Sequence, residues 1–506
     1  MLKRNLIANY LGQGWVALMS LAFIPLYIKY LGIESYGLIG LFAVLQAWLS
    51  LLDMGMTPTL GREMARFTGG THTAQSIRDL LRSIEVVALG MAFFIAAGIW
   101  AASGWLASDW LRAESLSAET VAQAFTVMGV VAALRFVEGI YRSSIVGLQR
   151  QVLFNVVNSA MATLRGFGAV AILVWVSPTI GAFFIWQGIV SILTLFTLGW
   201  ITYHALPTAD QAGRFSLEAL QGVGRFAGGM MGITFLSLLL IQVDKIVLSK
   251  LLNLSEYGYY MLASAVAGAL YVMIYPIGQA WFPRLTELYA RHDQPGLIAT
   301  YHQGAQLVSV TMGSAAVVMM VFAEQILHLW TQDAELARRT ALLVSLLALG
   351  NLLNGLMWIP CQAQLAHGWT GLTARINIIA VLVIVPAILW ATPRYGAEGA
   401  AWVWICLNTG YVLIGVHFMY RKILQAEKWC WYKNDIIQPL GAAAITALIV
   451  HKLIPAGQST AFAQLLTLAG ASGTILMMAG MFAPSIRQKM RAQVSQWMRF
   501  GKLRGP

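Results

Sequence analysis

Charge is what this sequence has least of. Only 11% of its 506 residues are Asp, Glu, Lys or Arg, where a soluble chain carries about a quarter. That shortage excludes an ordinary soluble enzyme or binding module, and no stretch between apolar runs is long or polar enough to bury its own core. Cysteine is nearly absent as well. Cys361 and Cys406 sit in apolar runs and Cys430 in a basic loop, with neither pairing nor metal-ligand spacing, so they read as small buried apolar groups. Histidine is sparse and scattered: His292, His302, His328 and His367 lie near the ends of runs, where interfaces or loops suit them better than a site. No paired carboxylates and no long outer loop carry catalytic groups. No catalytic residue, metal or cofactor is expected.

What is present is hydrocarbon. Hydrophobic residues make up 58% of the chain and the mean hydropathy is +0.68. They fall in about fourteen runs of about 20 residues, the length that crosses a bilayer at 1.5 Å per residue. The chain reads as an all-α integral membrane protein. Met1-Leu-Lys-Arg4 has the basic character of a signal peptide, but the apolar run behind it is too long and lacks a small-residue cleavage site, so it reads as a retained first span. The net charge of +12 follows from topology and not from a nucleic-acid partner. One set of loops holds Arg62, Arg66, Arg78, Arg82, Arg284, Arg291, Lys422 and the basic tail. The other set holds only Lys29, Arg112, Lys250, Arg338, Arg339, Arg394 and Lys452. That bias, roughly threefold over all loops, puts both termini in the cytoplasm by the positive-inside rule.

The first hairpin is written twice. An apolar run to Ile28 is followed by the break Tyr30-Leu-Gly-Ile-Glu-Ser-Tyr-Gly37, a second run over 38–60, and the collar Arg62-Glu63-Met64-Ala65-Arg66. The same order returns around Lys250-Leu-Leu-Asn-Leu-Ser-Glu-Tyr-Gly258, with a collar containing Arg284, Glu287, Ala290 and Arg291. Aligning Tyr36-Gly37 on Tyr257-Gly258 places Lys29 on Lys250. The offset is an even number of spans, so the copies share an orientation and are related by a pseudo-two-fold along the membrane normal. The expected organisation is a six-helix lobe over 1–204, a cytoplasmic linker over 205–221, a second six-helix lobe over 222–420, two extra helices within 421–486, and a basic tail over 487–506. In the tail, Met490, Val494, Trp497 and Met498 alternate with basic residues at near-helical spacing, which suits the surface of an anionic leaflet.

Ionisable groups inside spans are expensive and face a protein interior or a water-filled cavity. Here they are Asp53, then Arg135 and Glu138 in the run 121–147, Arg165 in 152–176, and Asp244 with Lys245 in 222–249. Arg135, Glu138 and Arg142 fall at i, i+3 and i+7, on one helix face over about 10 Å. Two readings stay open: internal pairing, such as Arg135 with Glu138, or cations facing an anionic substrate. Arginine's planar fork and lysine's point charge both suit phosphate. Candidate hinges are Pro25, Pro58, Gly228, Gly229, Gly232 and Pro276. The later spans carry amides instead, Asn351, Asn354, Gln362, Gln364, Asn377 and Asn408, which favour interhelical hydrogen bonds over ligand contact.

The Leu-Gly…Tyr-Gly break, Leu52-Asp53-Met-Gly55 and Arg62-Glu63-Met-Ala65-Arg66 resemble the amino-terminal signature of Wzx-type polysaccharide flippases. These belong to the multidrug/oligosaccharidyl-lipid/polysaccharide exporter superfamily. The resemblance implies two lobes rocking about a central cavity in the bacterial plasma membrane. It implies a lipid-linked oligosaccharide as substrate, carried on undecaprenyl pyrophosphate from the inner to the outer leaflet, with membrane lipid and other polysaccharide-assembly proteins as partners. Arg135, Arg165 and Lys245 would meet the pyrophosphate. Asp53, Glu138 and Asp244 are the carboxylates through which a proton or sodium ion could couple transport. A multidrug antiporter and a peptidoglycan-precursor flippase of the same superfamily are the near alternatives; a membrane glycan polymerase or ligase is the alternative of another class.

Overall fold

The computed structural model describes residues 2–53, 55–68, 70, 72–207, 211–369, 371–454 and 460–488. Most of the tail, with Met490, Val494, Trp497 and Met498, and Asp210 of the expected linker lie outside the described residues. Among the described residues the chain is helical without strands; one isolated backbone pairing joins Arg112 and Asn253. Helix is what hydrocarbon demands, because every backbone donor must find its acceptor within its own segment. Among the described residues, eleven helical stretches are long and apolar enough to cross a membrane. One of them, Arg375–Lys422, has 48 residues, a rise of about 72 Å that exceeds two hydrocarbon thicknesses. Two compact units are present, Met1–Gly258 and Tyr259–Pro506.

The first unit contains α1 (Leu2–Ala22), α2 (Ile24–Leu49), α3 (Met56–Thr68), α4 (Ala74–Trp105), α5 (Ala118–Gly147), α6 (Gln151–Trp175), α7 (Ile180–Ala205) and α8 (Leu217–Leu251). Thr73, Ser117 and Thr179 cap α4, α5 and α7, each hydroxyl accepting from the backbone N–H three residues on. α5 packs against both α4 and α7. The break expected at 30–37 is a non-helical Gly32, φ 82° and ψ 165°. The run before it is interrupted at Phe23, just ahead of Pro25 in the first turn of α2.

The run 38–60, expected as one span, is not one helix. α2 ends at Leu49, Ser50–Asp53 forms a 3₁₀ turn, and Gly55 takes φ 76° before α3 starts. Asp53 explains the restart: its carboxylate accepts from Thr57 N at 3.0 and 3.1 Å and from Thr57 Oγ1 at 2.6 Å, satisfying donors of the first turn of α3. The repeated Tyr-Gly breaks touch each other. A Cβ built on Gly37 would lie 2.7 Å from Leu254 O, and one on Gly258 2.4 Å from Ile33 O. Only glycine permits that approach.

The division between units falls inside α9 (Leu254–Gly268). The second unit continues with α10 (Leu270–Ala290), α11 (Gln294–Val321), α12 (Ala323–Thr331), α13 (Ala334–Leu356), α14 (Trp358–Ala366), α15 (Gly371–Gly410) and α16 (Val416–Lys422). α15 is broken at Gly396, φ 58° and ψ −146°. The short α17 (Lys428–Cys430) passes through a π-helical stretch, Trp431–Ile437, into α18 (Gln438–Leu453), and α19 (Ala461–Phe482) follows. α18 and α19 lay Ala443, Ala447, Ile475 and Ala479 against Val310, Val317 and Phe322. The amides do what amides in lipid do: Asn354 Nδ2 donates to Asn408 Oδ1 at 2.8 Å, Trp404 to Asn351 at 3.0 Å, and Tyr271 to Asn354 at 3.0 Å.

Candidate anion site

α5 carries the charged face into the first unit. Arg135 is a guanidinium held by neutral acceptors: Nη1 donates to Gln46 Oε1 at 2.9 Å, Nη2 to Gln187 Oε1 at 2.9 Å, and Nε to Ser191 Oγ at 3.4 Å. Its cation also lies 5.3 Å from the centre of the Phe42 ring. The internal pairing of Arg135 with Glu138 on its own helix, one of the two readings left open, does not form. Glu138 faces α6, where Arg165 Nη2 reaches both of its oxygens at 3.4 Å and Thr194 Oγ1 at 3.3 Å. Arg165 Nε is buried and has no hydrogen-bond partner among the described residues. A buried donor left open costs about 1–3 kcal/mol, so the cluster is short of acceptors. Two arginines less one carboxylate leave it at a formal charge of +1.

Two cavities open beside these groups. One, of about 510 Å³, is lined by Gln46, Asp53, Thr57, Arg135, Gly139 and Arg142 among others. The other, of about 270 Å³, is lined by Tyr27, Phe42, Gln46, Arg135, Arg165 and Gln187 among others. Arg135 and Gln46 belong to both, so the guanidinium stands at their junction. Asp53 borders the first cavity while capping α3. Asp244 and Lys245 are elsewhere on α8: they pair at 3.5 Å, Lys245 Nζ also donates to Ile241 O at 2.8 Å, and neither lines these two cavities. The structure therefore brings Arg135, Glu138 and Arg165 together and leaves Lys245 apart from them.

The larger cavity of about 970 Å³ in the second unit lies along α15. It has one cation, Arg375, and one carboxylate, Glu398, among walls such as Ile379, Val383, Trp390, Trp402 and Phe418. Those walls suit hydrocarbon and offer little to an anion. The residues that sequence reasoning missed are the neutral acceptors. Gln187, Ser191 and Thr194 recur at i, i+4 and i+7 in an otherwise apolar run, a polar stripe on one helix face that was there to be read.

The profile of a family described as "Polysaccharide biosynthesis protein" matches residues 2–289. A relative from Shigella flexneri, named "Putative O-antigen transporter", is 20% identical over 410 residues, covering 79% of this chain and 93% of that protein. Among solved structures, a lipid II flippase, MurJ, in an inward closed conformation superposes with a TM-score of 0.67 at 13% identity, covering 94% of this chain and 98% of that one. An inward-facing multidrug resistance MATE family transporter of the MOP superfamily gives 0.62 at 14% identity, covering 82% and 96%. These likenesses show the fold.

Proposed function

This chain belongs to the polysaccharide biosynthesis protein family, and on that premise we propose that it flips a lipid-linked oligosaccharide across the bacterial plasma membrane. The lipid carrier is undecaprenyl pyrophosphate, the direction is inner to outer leaflet, and the mechanism is alternating access. The polytopic helical fold is shared with flippase and transporter structures, and the relative from Shigella flexneri is named for O-antigen. Those likenesses support the class; the site supports the charge of the passenger.

The observation that carries the proposal is Arg135. A cation at a cavity junction, bonded to glutamine and serine and, among the described residues, to no carboxylate, has acceptors that a phosphate oxygen can replace. Charge-assisted bonds to phosphate are roughly twice as strong as neutral ones and form bidentate pairs on arginine. The exchange then favours the anion without displacing a buried counter-ion. Arg165, with its unpartnered Nε, supplies a second donor. A multidrug antiporter for cations would require the opposite charge here.

Arg135→Gln tests the reading. The amide leaves no buried charge unpaired, so the protein stays abundant in the membrane while export of surface glycan falls at least tenfold. Lipid-linked intermediates should accumulate on the inner leaflet. Undiminished export with normal abundance would remove Arg135 from the substrate path, and accumulation on the outer leaflet would turn the reading toward a polymerase or ligase.

A further inference from the structure

The second unit holds a separate cluster of metal-capable side chains that transport does not use. Asp435 is fully buried; its Oδ2 accepts from His302 Nδ1 at 2.5 Å and its Oδ1 from Gln306 Nε2 at 2.8 Å. Gln306 is fixed in turn, accepting from Ser485 N at 2.8 Å. With Nδ1 committed to Asp435, the other imidazole nitrogen, Nε2, faces Glu427 Oε2 at 3.0 Å. Cys430 Sγ joins them: the ligand atoms of His302, Glu427 and Cys430 all lie within 4.8 Å of one another. Glu427 and Cys430 are spaced by one helical turn at the start of α17, so they share a face. Cys430 Sγ also accepts from Asn434 Nδ2 at 3.3 Å.

At this separation an imidazole nitrogen and a carboxylate oxygen share something positive between them, a proton or a metal ion. We propose that it is zinc, bound by His302 Nε2, the Glu427 carboxylate and the Cys430 thiolate, with a fourth position open to water on the half-buried side. Ligands at about 2.0–2.1 Å from a tetrahedral zinc stand roughly 3.3 Å apart, close to the nitrogen–oxygen separation observed. Asp435 supplies the carboxylate that orients a metal-bound histidine and raises its basicity, and Asn434 steadies the sulfur. A mixed nitrogen, oxygen and sulfur set favours zinc over magnesium or calcium, which take oxygen alone. Binding releases the Cys430 thiol proton, and any proton on His302 Nε2, to solvent. The metal would tie α11 to the segment entering α18, since His302 lies 125 residues from Glu427 in sequence.

The test uses the full-length protein, purified in detergent through an affinity tag free of histidine and stripped with chelator. Cobalt should saturate at one ion per chain and give tetrahedral absorption with a thiolate-to-cobalt charge-transfer band, which zinc then erases. Cys430→Ser should abolish that band, and Glu427→Gln should weaken binding by about tenfold or more. Zinc should raise the unfolding temperature of the parent protein and leave that of Cys430→Ser unmoved. Absence of saturable binding, or a band that survives in Cys430→Ser, overturns the proposal. So does a Glu427→Gln protein that is destabilised although the parent takes up no metal, which would make His302 a doubly protonated bridge between two carboxylates.

Discussion

Replacing Glu138 by glutamine neutralises the carboxylate that faces Arg165 and keeps an oxygen acceptor in its place. At 3.4 Å the ion pair is worth about 5 kcal/mol of Coulomb energy at an effective dielectric of 20. Removing one member of a buried pair costs about 3–5 kcal/mol, partly offset because the amide oxygen still accepts from Arg165, so the variant should be less stable and binding is read on folded protein. The formal charge of the three-residue cluster rises from +1 to +2. Arg165 can then turn its donors to a pyrophosphate, and one extra charge-assisted hydrogen bond of about 1.5–3 kcal/mol tightens anion binding roughly 10- to 150-fold. Export should nevertheless fall, because a passenger held that much harder leaves more slowly. The assay is calorimetric titration of the purified variant with farnesyl pyrophosphate, with farnesol as the uncharged control, beside glycan export in cells. Equal or weaker binding of farnesyl pyrophosphate by a folded Glu138→Gln protein would refute the idea that carboxylate and substrate compete for Arg165.

Three further outcomes follow from single contacts. Glu34 is buried and accepts from Glu114 N at 2.6 Å and Ser115 N at 2.9 Å; Glu34→Gln opposes an amide NH₂ to one of those donors, and should cost about 2–3 kcal/mol, read as a lowered unfolding temperature. Gly258→Ala drives a methyl toward Ile33 O, a backbone atom that cannot step aside, whereas a Cβ on Gly90 meets nothing within 4 Å. Monodisperse protein on size-exclusion chromatography should therefore be lost in Gly258→Ala and kept in Gly90→Ala. Asn caps helices as well as Asp does, so Asp53→Asn should keep export within about twofold of the parent, while Asp53→Ala loses about 1 kcal/mol of stability. An export-dead but stable Asp53→Asn would instead make that carboxylate a coupling group.

Periodicity and depth could be read from the sequence because they are local. About twenty apolar residues dictate a crossing helix whatever surrounds them, and Arg135, Glu138 and Arg165 were identifiable by their cost in oil. The interruption after Leu49 was hidden because Leu51 and Leu52 keep the run apolar, although Asp53, Gly55 and Pro58 together encode a cap, a positive φ and a helix start. Partner choice was not legible. Glu138 at i+3 from Arg135 reads as its natural mate, yet the packing of α6 against α7 brings Arg165 to it and gives Arg135 to amides. The unit of His302, Glu427, Cys430 and Asp435 was invisible for the same reason: the last three lie close in sequence, but His302 is 125 residues from Glu427 and only tertiary contact brings it to them.

Why, on the proposed function, a carrier would hold a substrate-binding arginine with amides is a matter of balance. Had Arg135 been paired with a carboxylate, an entering anion would have to expel a buried counter-charge, and removal of one member of such a pair costs about 3–5 kcal/mol. Had it been left bare, the empty carrier would carry an undischarged cation in a medium that penalises it heavily. Gln46 and Gln187 avoid both extremes, because their bonds to Arg135 are charge-assisted on one side only. Loading would exchange a neutral acceptor for a charged one in each of two bonds that are already charge-assisted, adding Coulomb attraction and bidentate geometry in favour of the anion. Under the proposed function, that margin would hold a pyrophosphate from dilute solution in the bilayer and could still be surmounted by thermal motion on the far side. On the proposed reading, a site that must let go is built from weak acceptors around a strong donor, and the carboxylate of Glu138, on the same helix as Arg135, is engaged instead by Arg165 of α6.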